Sequence, residues 1–135
     1  MTTYVTARDV IVAHIQPNWI AEYPNVPIYY EDTTAISLDL LGSNFLLVSV
    51  NMTNSIRQAL DSDPITKTFG VVNLRLFSKQ GGGVRKVLGM MDYLTGLMRY
   101  KGLVGVTLET PTPGRKQSRD GWTSADLDTD FYFWQ

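Results

Sequence analysis

The chain has 135 residues, 44% of them hydrophobic and 19% charged, and its formal net charge at pH 7 is −1. These values are typical of one folded domain with a hydrophobic core, spanning residues 1–135, and they exclude a disordered chain. The chain has no cysteine, which excludes disulfides, thiolate catalysis and zinc–thiolate sites and fits a reducing compartment.

The first segment predicts an amphipathic helix that ends at Tyr23-Pro24. Thr6 and Asp9 form a weak capping box at its start, and Pro17 is expected to kink or split it. The start of the chain lacks the features of a signal peptide, and no apolar run approaches the roughly 20 residues of a membrane span. The apolar residues recur at helical spacing: Ile11, Val12, Ile15, Trp19 and Ile20.

Strands are predicted where apolar and polar residues alternate or where β-formers cluster between turn signals. Residues 53–64 are left open, as a helical turn or an extended arm. The chain from 111 to 121 reads as a long polar loop. The predicted strands are residues 25–32, 45–52, 66–79, 103–110 and 122–134.

The two longest strands have clearly separated faces. In residues 66–79, Val72, Leu74 and Leu76 share one side, and the other side carries Asn73, Arg75 and Phe77. In residues 122–134, one side of the strand carries the acidic residues Asp126, Asp128 and Asp130. The other side carries the apolar residues and one threonine: Ala125, Leu127, Thr129, Phe131 and Phe133.

A second helix is predicted over residues 84–101, closed by Lys101 and Gly102. Gly89 and Gly96 lie seven residues apart on it, which fits either a closely packed neighbouring backbone or a subunit contact. Its apolar stripe is Val84, Val87, Leu88, Met91, Leu94 and Met98. The order of elements predicts an α+β fold, with a mostly antiparallel sheet of about four to five strands and two main helices packed on it.

Three glycines, Gly81, Gly82 and Gly83, separate the central strand from the second helix. A P-loop needs a later glycine followed by Lys and Ser or Thr, and a dinucleotide fingerprint needs glycines at other spacings; neither pattern is present. Arg85 and Lys86 at the helix start leave a phosphate site open as an alternative. The favoured interpretation is a flexible strand-to-helix corner.

Catalytic side chains are scarce. His14 is the one histidine, on the predicted first helix, and the pattern offers no general-base partner for it. A helix-flank histidine without a functional role is therefore the favoured interpretation, and the sequence predicts no catalytic residue.

The row of Asp126, Asp128 and Asp130 could hold Mg²⁺ or Ca²⁺ through its oxygens, but carboxylates spaced along a strand do not converge on one ion. A solvated or partner-facing side of the sheet is favoured. A cationic neighbour would relieve the repulsion among them. The predicted loop at residues 111–121 offers Arg115, Lys116 and Arg119, for which phosphate contact, an inter-subunit salt bridge and a disordered tip are the open interpretations.

Charge is segregated along the chain. Residues 1–66 hold two basic and seven acidic side chains, residues 67–119 hold ten basic and two acidic ones, and residues 120–135 hold four aspartates. Nucleic-acid binding, docking between complementary copies and chance clustering on a solvated surface all fit this pattern.

The order of these segments resembles the tail terminator proteins of tailed bacteriophages. An amphipathic first helix leads to "NVPIYYED" and the strand "FLLVSVNM". The strand "VVNLRLFSKQGGG" then passes through a glycine-rich turn into the helix "VRKVLGMMDYLTGLMR", and "LVGVTLET" and the aromatic-rich "WTSADLDTDFYFW" close the chain. The resemblance spans roughly residues 6–134.

The resemblance implies a structural virion protein rather than an enzyme, with no cofactor, no metal and no membrane partner. Members form a hexameric ring at the head-proximal end of the tail tube, where the ring ends tube polymerisation and meets the head-completion and neck proteins. Genomic DNA passes through the lumen without sequence-specific binding. Assembly takes place in the host cytoplasm.

Candidate interface or lumen residues are the charged side chains of the central strand, the second helix, the loop and the last strand: Arg75, Lys79, Arg85, Lys86, Arg115, Lys116, Arg119, Asp126, Asp128 and Asp130. The alternatives are another phage neck or tail-completion protein and, from different classes, a small phosphate-binding enzyme or a non-specific DNA-binding protein.

Overall fold

The structure, a computed structural model, describes residues 2–30, 44–57, 65–79, 84–114, 117–119 and 122–135. These residues form two helices and seven strands in an α+β arrangement. In chain order the elements are α1 (Tyr4–Glu22), β1 (Ile28–Tyr30), β2 (Asn44–Arg57), β3 (Thr66–Lys79), α2 (Val84–Met98), β4 (Gly102–Leu103), β5 (Val106–Pro113), β6 (Gln117–Arg119) and β7 (Trp122–Trp134).

The described strands form one mixed sheet in the order β1-β2-β3-β7-β5-β4, with β6 paired to β7. β1 runs parallel to β2, and the other pairs are antiparallel, as predicted. The sheet has more strands than the predicted four to five because β4 and β6 are only two and three residues long. Strands this short leave no periodic signal in a sequence.

The central pair β3–β7 confirms the sequence prediction in both bounds and faces. Alternate residues of each strand are buried, and they meet across the ladder as Val72–Thr129, Leu74–Leu127 and Leu76–Ala125. Both helices pack on this side of the sheet, and the core of the domain lies between the two layers.

Residues 111–121 are not the continuous loop that the sequence predicts. Pro111 and Pro113 lie within β5, after an irregularity in its pairing with β7, and residues 117–119 pair with the start of β7. The two prolines make this segment look like a loop in the sequence. A strand can still contain them because proline is tolerated at irregular positions and at strand edges. Part of the segment left open, residues 53–57, continues β2 as an extended arm.

Helix α1 begins three residues earlier than predicted and is not split. Thr3 is its N-cap, and its reciprocal capping box is formed with Thr6 rather than by Thr6 and Asp9. Pro17 lies inside the continuous helix, and the Asn18 side-chain amide donates to the His14 carbonyl at 2.7 Å. The helix persists through the proline because residues on both sides of it are fully buried: Ala7, Ile11, Ile15 and Trp19. Val12 is only partly buried and Ile20 is 48% exposed.

Helix α2 ends at Met98, three residues before the predicted end. The left-handed residue that follows is Tyr100, with φ of 48°, and not Gly102, which begins β4. Met90 joins the buried stripe in place of Leu88, which is 49% exposed. A Cβ added at Gly89 or Gly96 would meet nothing within 4 Å, so no close packing within the described chain requires either glycine.

One buried polar group in the core predicts a stabilising substitution. The Thr129 hydroxyl is fully buried on the helix-facing side of β7 and has no hydrogen-bond partner among the described residues. Thr129→Val keeps the shape and removes the desolvation cost of that hydroxyl, so we expect the free energy of unfolding to rise by about 1 kcal/mol. Urea denaturation measures the change. An equal loss of stability would instead indicate a partner for the hydroxyl.

Candidate functional site

The sheet has a second face, turned away from the helices, which we call the open face. Among the described residues no helix packs on it, and two columns of opposite charge run along it. The column on β3 carries Lys67, Arg75 and Lys79, and the column on β7 carries Asp126, Asp128 and Asp130. The basic and acidic segments of the sequence therefore meet on neighbouring strands.

These charges are partly paired within the subunit. The Arg75 guanidinium donates to both carboxylate oxygens of Asp126, at 2.8 and 3.3 Å, and the Asn73 amide donates to Asp128 at 2.6 Å. The pair Arg75–Asp126 is partly exposed and contributes at most about 1 kcal/mol. Asp130 is exposed and lies opposite Val71. Among the described side chains, the cation beside the aspartate row is thus Arg75 on the adjacent strand.

Arg115 and Lys116 lie outside the described residues, as do Gly81, Gly82 and Gly83. The backbone of Arg119 lies opposite Trp122 in the β6–β7 pairing. Arg85 and Lys86 are exposed in the first turn of α2.

The carboxylates do not gather into a metal site. Within the described residues no three histidine, aspartate or glutamate side chains lie close enough together to hold an ion. His14, the sequence's one histidine, has a structural partner: its Nε2 lies 2.9 Å from the Leu97 carbonyl and links α1 to α2.

A cleft of about 260 Å³ opens between α1 and the sheet. Its described lining brings together Arg8, Val12, Tyr30, Val48, Ser49, Val50 and Asn51. The Arg8 guanidinium lies 5.8 Å from the centre of the Tyr30 ring. These described side chains include no carboxylate or imidazole that could act as a general base.

Aromatic clusters with a lysine lie at both ends of the open face. At one end Phe45 stacks on Phe77 with ring centres 4.5 Å apart and meets the edge of Trp122, while the Lys79 ammonium lies 5.7 Å from the Trp122 ring. At the other end the Lys67 ammonium lies 4.0 Å from the ring of Tyr132.

The second cluster is the more exposed. The Lys67 ammonium also lies 5.2 Å from the ring of Phe69 and 5.3 Å from the ring of Trp134, so it is close to three aromatic rings. No carboxylate among the described residues forms an ion pair with it. The sequence alone does not reveal this cluster, because the cluster depends on the strand register that sets Lys67 against Trp134.

Exposed apolar side chains concentrate at the same end of the molecule. This apolar end consists of Tyr4, Val5, Ile56, Ile65, Val104 and Trp134, which are between 43% and 88% exposed. Ile56 pairs with Lys67 across β2 and β3, and Lys67 pairs with Trp134. The Tyr4 ring meets Phe133 edge-on at 6.0 Å, and Thr2 donates to the carbonyl of Gly105, next to Val104. Large exposed apolar side chains gathered at one end of a domain are typical of a protein–protein contact.

An aromatic and acidic surface lies at the C-terminal end of α1, away from the apolar end. The ring of Tyr23 lies 4.6 Å from Trp19 and 5.6 Å from Tyr93, and the Tyr93 hydroxyl donates to the Asn18 carbonyl. Burial raises the pKa of both tyrosine hydroxyls. The charge of nearby Glu22 raises both pKa values further, and Asp92 adds to the effect at Tyr23. Glu22 and Asp92 are themselves exposed, so this surface is aromatic and acidic.

Neither described helix is both long enough and apolar enough to cross a lipid bilayer.

Comparison with known proteins identifies a fold but no family. No family model matches the chain, and no curated protein matches it. Solved structures do match. One of them superposes with a TM-score of 0.74 over 98% of this chain and 96% of its own, at 14% sequence identity. At that identity the likeness shows the fold alone.

Proposed function

We propose that this protein is a structural component of a phage virion, similar to the tail terminators. Copies form a hexameric ring that caps the head-proximal end of the tail tube, ends tube polymerisation and presents a surface to the head-completion and neck proteins. Genomic DNA passes through the lumen without sequence-specific binding. The protein assembles in the host cytoplasm, takes no cofactor and catalyses no reaction.

The observation that carries this proposal is the apolar end. Six large apolar side chains are exposed to water at this end, which is unfavourable for an isolated subunit. Contact with another protein would bury them. The order of elements also supports it. β3 ends at Lys79 and α2 begins at Val84, so the glycines fall between a strand and a helix, as in the resembled family.

The two charged columns of the open face offer further contact surface. Asp130 and the partly exposed Asp126 and Asp128 would repel the phosphates of DNA, which fits a duplex that passes without being held. We therefore assign no sequence-reading role to this face. The cations outside the described residues, Arg115 and Lys116, remain candidates for the lumen or a rim.

The test is tube capping. Tail tube protein from the same phage genome is polymerised in the presence and absence of this protein, and the products are imaged by electron microscopy. We expect shorter tubes that carry a six-fold ring at one end only. Tubes of unchanged length with no bound ring would refute the proposal.

Two further measurements separate the other classes. Tight binding of a 30-base-pair duplex that falls steeply with salt would favour a non-specific DNA-binding protein. Inorganic phosphate binding that is lost in Lys86→Ala would favour a phosphate-binding enzyme, because that class needs a cation at the start of α2. We expect neither result.

A further inference from the structure

The subunit carries two exposed aromatic patches of opposite charge. The cationic patch consists of Lys67, Ile56, Tyr132 and Trp134, at the end of the open face. Its ammonium is held by three rings and has no ion pair among the described residues. The ring contacts are attractive and hold the ammonium beside them, and its charge can still attract a carboxylate from another molecule. Ile56 and Trp134, 43% and 45% exposed, supply apolar area beside it.

The acidic patch consists of Glu22, Asp92, Tyr23 and Tyr93. Glu22 is the last residue of α1, and Asp92 lies in the middle of α2 beside Tyr93. Glu22 directly precedes Tyr23 and Asp92 directly precedes Tyr93, and the rings of these two tyrosines lie 5.6 Å apart, so the two carboxylates belong to neighbouring parts of the surface. The rings of Tyr23 and Tyr93, both partly exposed, supply the apolar area.

The two patches lie far apart on the subunit. The N-terminus of α1 contacts the end that holds the cationic patch, through the Tyr4–Phe133 ring contact. The acidic patch surrounds the C-terminus of the same 19-residue helix. At 1.5 Å per residue this helix spans roughly 28 Å, so one copy cannot bring its own two patches together.

Two different, complementary patches on one chain are what a head-to-tail contact requires. In such a heterologous contact, one patch of each copy meets the other patch of the next, and the series closes into a ring when the rotation allows. Aromatic and apolar area at the centre with a desolvated charge pair is also the usual chemistry of a protein interface.

We propose that the cationic patch around Lys67 binds the acidic patch around Glu22 and Asp92 of a second copy of this chain, and that this is the subunit contact of the ring. The inference rests on the proposed function, since it names the surfaces by which the ring closes. A polyanion is the less favoured occupant of the cationic patch, because the carboxylate of Asp130 lies on the same face two residues along β7 from Tyr132.

The test is charge exchange between copies. Lys67→Glu is made as one variant and the double substitution Glu22→Lys, Asp92→Lys as another, and the mass of each is followed by light scattering over a wide concentration range. Each variant alone brings like charges together at every contact, so we expect its self-association to weaken by about a hundredfold. An equimolar mixture restores an opposite-charge pair at every contact around a ring with an even number of subunits. We expect the mixture to regain the mass of the wild-type assembly.

Matched controls make the same charge changes elsewhere. Lys101→Glu and Glu109→Lys alter exposed side chains outside both patches. We expect both to assemble like the wild type, and circular dichroism checks that every variant is folded. As a second readout, a zero-length carboxylate–amine cross-linker is applied to a mixture of isotope-labelled and unlabelled wild-type protein. It should join Lys67 to Glu22 or Asp92 between a labelled and an unlabelled copy.

Each contrary result has a distinct meaning. If the wild type forms a ring but the variants assemble normally, or the mixture does not recover, the assigned surfaces are wrong and the proposed function stands. If the wild type stays monomeric at every concentration and gives no such cross-link, the contact is overturned, and tube capping alone decides the function.

Discussion

Trp19→Ala is expected to lower the free energy of unfolding by about 4 kcal/mol, the cost typical of deleting a large buried aromatic side chain. Trp19 is fully buried between α1 and the rest of the core, and its indole N–H donates to the Val26 carbonyl at 3.0 Å. The substitution opens a cavity and also leaves that carbonyl without its donor. Urea denaturation followed by circular dichroism measures the loss.

Two companion variants separate the causes. Trp19→Phe keeps most of the apolar volume but loses the hydrogen bond, so we expect a smaller loss of about 2 kcal/mol. Ile20→Ala changes the neighbouring residue, which is half-exposed, and should cost less than about 1 kcal/mol. A loss below about 1 kcal/mol for Trp19→Ala would contradict the packing of α1 against the sheet.

Gly70→Ala is expected to destabilise the domain by about 3 kcal/mol, at the upper end of the range for overpacking a core. Gly70 lies in β3, and an added Cβ would overlap the ring of Phe131 and approach the Asn51 carbonyl oxygen to 2.6 Å. The ring is held in the buried core and the carbonyl belongs to β2, so neither can move aside freely. The shift of the urea midpoint measures the effect.

The same substitution on α2 should have the opposite sign. Gly89 lies on the exposed side of the helix, where a Cβ meets nothing, so Gly89→Ala should raise the free energy of unfolding by roughly 1 kcal/mol through helix propensity. If both variants lost stability equally, the contrast between the crowded and the open site would be refuted.

The two proposed patches also connect the charge pattern of the sequence to assembly. Part of the segregated charge is paired inside the subunit, where the ladder sets Arg75 against Asp126. Lys67, in contrast, has rings but no described carboxylate beside it. A charge that remains uncompensated within one copy is the one that a neighbouring copy can use.

The sequence by itself determined the long, regular elements. The bounds and the two faces of β3 and β7 follow from the alternation of apolar and polar residues over more than ten positions. Successive side chains of a strand point to opposite faces of the sheet, so such an alternation indicates a strand with one buried face. The separation of Arg75, Asp126 and Asp128 from the apolar side of their strands was predicted in the same way. Both helices were predicted from their apolar periodicity.

Only the tertiary structure decided how these elements meet. Strand register sets Lys67 against Trp134, residues 67 positions apart in the chain, and no local pattern encodes that pairing. Packing on both sides of Pro17 keeps α1 continuous against the preference of proline, and pairing with β7 converts part of a polar, proline-rich loop into strand. Local conformational propensities amount to tenths of a kcal/mol per residue, whereas burial of one large apolar side chain contributes about 2 kcal/mol. Where local propensity and long-range packing disagreed, packing therefore decided the structure.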